Sequence, residues 1–307
     1  MLFGIYHTAY EKIKDKFYDV IDSNLVNTII VESYYESEEF KISLDKLKTK
    51  ENISVWISVG YLGFVSRNNV TIADNNEQDS IFNPQTTFLS DYKDRVDRFI
   101  NFLKEHDYYN HVVGFYMDEP LLWNIKNDWL EEFTKYFRTK AAIDKRFFIC
   151  FSVAGVAPSI WTINDVKPIT PKSSKYLTDI AFDMYHKWSE DYDKITDFML
   201  QRSGNRQDLK VWMIPCTMNY RGTYKEEYAI EHLEKCYQRL KQFPNPGGLM
   251  CYTYYTFPVE KEDLGNEGLD VIANKESGKY WPNLVNKIKE ISKEIIGEAD
   301  GNEISWP

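Results

Sequence analysis

The sequence predicts a single (β/α)8 barrel spanning residues 1–307, and three observations carry that expectation. Eight short apolar runs punctuate the chain, and charged segments with helical spacing lie between them. A length of 307 residues suits one such barrel of about 250 residues with room left for loops. Apolarity in the runs is nearly continuous, the mark of strands buried on both faces of a parallel sheet.

The runs are LFGIYH (2–7), TIIVESYY (28–35), ISVWISVGY (53–61), VVGFYMDEP (112–120), FFICFSVAG (147–155), IAFDMYHKW (180–188), VWMIPCTMN (211–219) and GLMCYTYYTF (248–257). Helical spacing appears over 10–22, 90–107, 127–142, 224–243 and about 280–296. In the fourth of these, Tyr228, Ile230, His232, Leu233, Tyr237 and Leu240 fall roughly on one face, with Lys and Glu on the other. The third strand leads into a long loop, about 62–88, rich in Asn, Asp, Gln and Ser and holding Pro84. The fifth leads into an irregular segment, 154–172, with Pro158, Pro168 and Pro171. A doubly wound open sheet gives similar alternation, but eight units favour closure. No linker or repeat divides the chain.

Lys and Arg number 37 against 47 Asp and Glu, a net charge of −10, which argues against a nucleic-acid partner. No apolar run approaches the roughly 20 residues that span a bilayer. The opening residues lack the basic and apolar regions of a secretory signal. Cys150, Cys216, Cys236 and Cys251 form no CxxC pair and no zinc-site spacing; they read as buried thiols. The expected compartment is therefore the cytoplasm, or the cell exterior where a leader has been cleaved. The oligomeric state is not readable. Absence of HExxH, GxGxxG, GxxxxGK[ST] and GxSxG patterns leads us to expect no metal and no cofactor.

A (β/α)8 barrel places its chemistry at the C-terminal ends of its strands. Those ends carry His7, Glu32, Tyr34, Tyr35, Tyr61, Asp118, Glu119, Trp123, Asp183, Tyr185, His186, Trp188, Asn219, Tyr220, Tyr254 and Tyr255. The sharpest motif is Tyr116-Met117-Asp118-Glu119-Pro120, because two adjacent carboxylates ending an apolar strand are costly unless paired or used. Aromatic residues make up 16% of the chain, and rings at strand ends suit the C–H faces of sugars.

GFYMDEP resembles the fourth-strand motif of the large clan of retaining glycoside hydrolases with (β/α)8 barrels. There the motif ends in Asn-Glu-Pro and the Glu is the acid/base. The resemblance implies that Glu119 is the acid/base and that Asp118 stands at the Asn position. It also implies a nucleophilic Glu at the end of strand seven, where this chain reads VWMIPCTMNY and has no carboxylate. A hydrolase needs a second carboxylate, and Asp183, then Glu32, then Asp118 are the candidates. Strands three, four and six also resemble, more loosely, chitinase-type barrels, which use a substrate acetamido group as nucleophile with help from an Asp and a Tyr. That chemistry would account for the empty strand-seven position, although Asp and Glu are adjacent here instead of one residue apart.

The expected function is hydrolysis of a glycosidic bond in an oligo- or polysaccharide. Glu119 is the general acid, with Asp118, Asp183 and Glu32 as catalytic candidates. Tyr185, His7, Tyr35, Tyr61, Trp123, His186, Trp188, Asn219 and Tyr254 are candidates for binding the sugar. The alternatives are a glycan-binding barrel that has lost catalysis and a barrel hydrolase of a non-sugar substrate.

Overall fold

The structure, a computed structural model, describes residues 1–6, 14–32, 34–72, 80–156, 167–185, 190–219, 222–254 and 267–297. Of the expected site residues, His7, His186 and Trp188 lie outside them, as do Tyr220 and Tyr255.

Strand and helix alternate around a barrel. β1 (Leu2–Ile5) leads to α1 (Lys14–Asp22), and β2 (Thr28–Val31) to α2 (Glu38–Lys48). β3 (Ser54–Ser58) is followed by the single turn α3 (Gly60–Gly63), the strands β4 (Phe64–Ile72) and β5 (Ser80–Phe88), and α4 (Tyr92–Glu105). β6 (Val112–Asp118) leads to α5 (Asn127–Tyr136), and β7 (Arg146–Ser152) to the short turns α6 (Val153–Val156) and α7 (Pro171–Ser174). β8 (Asp179–Asp183) leads to α8 (Glu190–Arg202), and β9 (Lys210–Met213) to α9 (Glu226–Leu240). β10 (Pro246–Cys251) precedes α10 (Leu269–Ile272) and α11 (Pro282–Ile296).

Eight strands form one sheet in the order β1-β10-β9-β8-β7-β6-β3-β2, every pair parallel. β1 and β2 come together at the seam through one residue. The Asn27 N–H donates to the Phe3 carbonyl at 3.0 Å, and the Phe3 N–H donates to Asn27 Oδ1 at 2.7 Å. The result is the nearly closed barrel that the sequence predicts.

Two expectations are corrected. The stretch 62–88 is not a loop: β4 and β5 pair antiparallel from Phe64↔Phe88 to Ile72↔Ser80. A two-stranded ribbon consists of edges only, so Pro84, opposite Asn68, needs no ladder donor. Leu89 N–H closes the base on the Gly63 carbonyl at 2.8 Å. After β7, no full helix follows among the described residues, only short turns. On α9 the buried face is Ala229, His232, Leu233, Cys236, Tyr237 and Leu240. Tyr228 and Ile230 lie at its margin.

The barrel interior explains part of the aromatic excess. Trp56, Trp212 and Phe148 fill its lower layer, with Phe148 and Trp212 stacked at 4.8 Å and Trp56 edge-on to Trp212 at 5.8 Å. Rings of that size need glycine opposite them. A Cβ on Gly114 would come within 2.6 Å of Trp56 and of the Arg146 carbonyl oxygen, and one on Gly248 would collide with the Leu2 carbonyl oxygen. Arg146 enters this floor from β7 and pairs with Asp179, which is fully buried. Outside the strands, helical stripes such as Val96, Phe99, Ile100 and Leu103 of α4 bury against the sheet. All four cysteines are free and buried, as expected of thiols used for packing. No helix of the described residues is long and apolar enough to cross a membrane.

Candidate active site

Side chains alternate along a strand, so the positions in register with the inward-facing Trp56, Tyr116 and Ala181 point into the barrel. At its C-terminal end that register delivers Glu32 after β2, Asp118 on β6 and Asp183 on β8. It also delivers Tyr6, Tyr116 and Tyr252. Three of the four carboxyl groups expected from the sequence therefore converge by strand geometry alone.

Glu119 converges by another route. Alternation would send it to the outside of the barrel. Its backbone instead adopts a left-handed conformation, φ 39°, which is uncommon for a residue with a side chain. The bend is held by Glu119 N–H donating to the Cys150 carbonyl at 2.8 Å, and by its own carbonyl accepting from Leu122 N–H at 2.9 Å. The turn brings the Glu119 carboxyl into hydrogen-bonding contact with Asp183. Strain of about 1–3 kcal/mol concentrated at one residue is a frequent mark of functional sites.

Tyrosines tie the acids together. Tyr6 Oη donates to Glu32 Oε1 at 2.5 Å and stands 3.3 Å from Asp118 Oδ2. Tyr116 Oη donates to Asp118 Oδ1 at 2.7 Å. Tyr185 stacks on Tyr252 at 4.5 Å, and Tyr252 lies 5.5 Å from Tyr6, so an arc of rings runs along one side of the site. The roles of Tyr6 and Tyr252 escaped sequence reasoning. The signal available was their register: Tyr6 and Tyr252 are two residues past Gly4 and Met250, which share the barrel interior.

Electrostatics separate the four carboxyls. Burial, and then the charges of Asp183 and Asp118, push Glu119 well above the usual carboxylate range. Burial and the Asp118 charge raise Asp183 to about 7, although hydrogen bonds from Tyr185 and Glu119 pull it back. Burial and Asp118 raise Glu32 to about 8 against the opposing hydrogen bond from Tyr6. Asp118 is also raised by burial, with the Tyr116 and Tyr6 phenols opposing the shift. Protein crowds it from below, but its side chain is open to cavity water, and that water softens the desolvation. Among the described residues Asp183 Oδ1 accepts no hydrogen bond from a donor group, an arrangement that a proton held between Asp183 and Glu119 satisfies.

Glu32 carries a consequence for stability. The folded protein binds its proton more tightly than the unfolded chain does, so its contribution is fully present below about pH 4.5. It is lost as pH rises towards about 8. Glu32→Gln keeps an acceptor for Tyr6 and removes the titration. Its melting temperature should rise relative to the parent across that window, reaching a gain of roughly 2–4 °C at pH 9 if 1 kcal/mol is recovered. A constant difference from pH 4 to pH 9 in calorimetric scans would contradict this.

A cavity of about 420 Å³ opens beside Asp118. Glu32 and Asp118 form its acidic side, Tyr61, Trp123 and Phe64 its apolar walls, and Ser66 and Thr86 of the hairpin its rim. Thr86 Oγ1 hydrogen-bonds the Trp123 carbonyl and lies 2.8 Å from Ser66 Oγ, which anchors the hairpin over the cavity. Glu119 and Asp183 do not line this cavity; Glu119 follows Asp118 at the end of β6, and Asp183 ends β8, two strands further round the sheet. Two expected sugar-binding residues are placed elsewhere. Tyr254 is buried in the core outside the barrel: the alternation that turns Met250 and Tyr252 inward is not kept at Tyr254, which lies past the end of β10 at Cys251. Asn219 spends its amide on the loop, donating to Glu267 Oε2 at 2.9 Å and accepting from Tyr224 N–H at 3.1 Å. Tyr35 packs on Phe99 and Phe102, each at 5.4 Å. Among the described residues no cluster of three His, Cys, Asp or Glu could hold a metal ion.

The strand-seven position of the barrel is β9, and it is followed by Ile214, Pro215, Cys216 and Thr217, with no carboxylate. Its neighbour His232 is buried, accepts from Cys216 N–H at 2.9 Å, and is pushed down to about 4 by burial, so it stays neutral.

The strands and the site residues at their C-terminal ends make this a (β/α)8 barrel. No family model matches the chain, and no curated protein matches it. Solved structures that resemble it include the β-glucuronidase of Ruminococcus gnavus, with 11% identity, a TM-score of 0.54, and coverage of 95% of this chain and 50% of the other. The same enzyme in complex with N1-substituted uronic isofagomine gives 12% identity, a TM-score of 0.52 and coverage of 95% and 48%. Its apo structure gives 10% identity, a TM-score of 0.52 and coverage of 95% and 50%. The chain thus spans about half the length of these proteins, and at such identity the likeness is one of fold.

Proposed function

We propose that the protein hydrolyses a glycosidic bond, with Glu119 as the general acid. The observation that carries this reading is the left-handed turn at Glu119, which joins its carboxyl to Asp183 beside an open cavity. The sugar occupies the cavity above Asp118, and the leaving group lies over Glu119. Glu119 protonates the leaving oxygen. Asp118, which accepts from the Tyr116 phenol and is open to the cavity, faces the positive charge that develops on the ring and takes the proton of the attacking water. Asp183 touches Glu119, which is closer than the roughly 5–9.5 Å that separates the two carboxyls flanking a scissile bond. Its part is therefore to share and hold the Glu119 proton. Glu32, protonated at neutral pH, offers a donor to a sugar hydroxyl.

The test is release of new reducing ends from a panel of unmodified oligosaccharides between pH 5 and 7. Cleavage of at least one linkage is expected, and no product from any of them after prolonged incubation would overturn the reading. The missing carboxylate after β9 favours a second reading, a barrel that binds glycans without cutting them. Calorimetry showing tight binding together with no product would select it.

A further inference from the structure

A second cavity, of about 400 Å³, adjoins the first. The two share Tyr34, Tyr61, Phe64 and Ser66, so they form one groove with a waist. The waist is built from Tyr61 and from Tyr34, whose ring stands edge-on to Tyr61 at 4.9 Å and is 63% exposed. An exposed ring between two cavities is a platform for a second sugar.

The charge reverses along this groove. Its inner end holds Glu32 and Asp118. Its outer end holds Arg95 and Arg98, three residues apart on α4 and so neighbours on one helix face. Arg98 is exposed and has no ion pair among the described residues. Arg95 pairs with Asp91 at 3.0 Å, both side chains well exposed, and such surface pairs contribute little and exchange readily. Glu36 also lines this end, but it is engaged by the Tyr35 hydroxyl. Both guanidinium-bearing residues line this cavity beside Tyr35.

We infer that the outer cavity binds an anionic substituent, a carboxylate or a sulfate ester, on a sugar next to the one that is cleaved. The inference rests on the glycosidase reading. Two adjacent guanidinium forks match the planar or tetrahedral oxyanions of those groups, which Lys would hold less specifically. The cleaved sugar itself meets an acidic surface, so the negative charge belongs on its neighbour.

The experiment uses an array of oligosaccharides in matched sets, each backbone present in neutral, singly carboxylated and singly sulfated form, with binding and cleavage both measured. The wild type should bind at least one charged form about 10-fold tighter than its neutral partner, the scale of one charge-assisted hydrogen-bonded contact. The two anion arms identify which group is taken. Raising the salt concentration should shrink the preference. The double variant Arg95→Ala/Arg98→Ala should bring charged and neutral forms within about twofold of each other, and Arg98→Lys should fall between. Equal binding of all three forms by a wild type that cleaves them overturns this inference and leaves the glycosidase reading standing. A charge preference that survives the double substitution overturns it equally. A wild type that neither binds nor cleaves any glycan overturns both.

Discussion

Glu119→Gln is expected to slow hydrolysis of an unactivated glycoside by about 10²–10⁴-fold, the range of general acid catalysis, while KM moves only a few-fold. The amide keeps the shape and the contact with Asp183 but has no proton to give. An aryl glycoside with a good leaving group departs as a stable phenolate and needs little protonation. On that substrate the loss should shrink to about tenfold or less. The contrast between the two substrates separates loss of the acid from loss of the fold. The pH profile should change with it. In the parent, activity on the unactivated substrate falls as the Glu119–Asp183 pair gives up its shared proton, on the alkaline side of about pH 7, and the value measured belongs to the pair. In Glu119→Gln that limb should disappear. Equal activity of variant and parent on the unactivated substrate would remove Glu119 from the mechanism.

The largest effect on stability is expected at the opposite end of the barrel. Asp179 is fully buried and accepts from Arg146 Nε at 2.9 Å, Trp212 Nε1 at 2.7 Å and Thr178 Oγ1 at 2.7 Å. The Arg146 guanidinium adds a second bond to the same carboxylate and lies 4.9 Å from the centre of the Trp56 ring. Arg146→Met leaves the anion with two neutral donors and no charge partner. Breaking a buried pair in this way costs about 3–5 kcal/mol, which urea denaturation reads directly. Adding Asp179→Asn to that variant removes the orphaned charge and should recover part of the loss. A loss below about 1 kcal/mol, or no recovery in the double variant, would mean that the pair is not what holds the floor.

The two ends of the barrel differ in how legible they were. The eight strands were readable because burial on both faces leaves nearly unbroken apolar runs such as SVWIS and FFICFS. Asp118, Glu32 and Asp183 were readable as strand-end acids because the fold fixes where strand ends meet. The Glu119–Asp183 contact was not, since alternation places neighbours on opposite faces and only the left-handed turn at Glu119 reverses that. That turn depends on a carbonyl of the adjacent strand, at Cys150, which no local pattern encodes. Tyr6 was obscured for a related reason: its partners Glu32 and Asp118 are 26 and 112 residues away. The hairpin was hidden by composition, because the polar residues around its tip read as loop while the ends, FVS and TTF, carry the strand signal. Tyr254 and Asn219 were misplaced because nearness to a strand end does not say which way a side chain turns.

The hairpin leaves the sheet and returns to it at nearly one point. Phe64 and Phe88 stack at 5.1 Å, and Gly63 and Leu89 share a hydrogen bond. A segment attached through so narrow a neck behaves as a cassette. Its length and tip can vary between related chains, or be exchanged by an engineer, without any change in the strands that hold the carboxyls. An exchanged hairpin would therefore redraw the rim of the cavity at Ser66 and Thr86 while the carboxyl-bearing strands stay as they are.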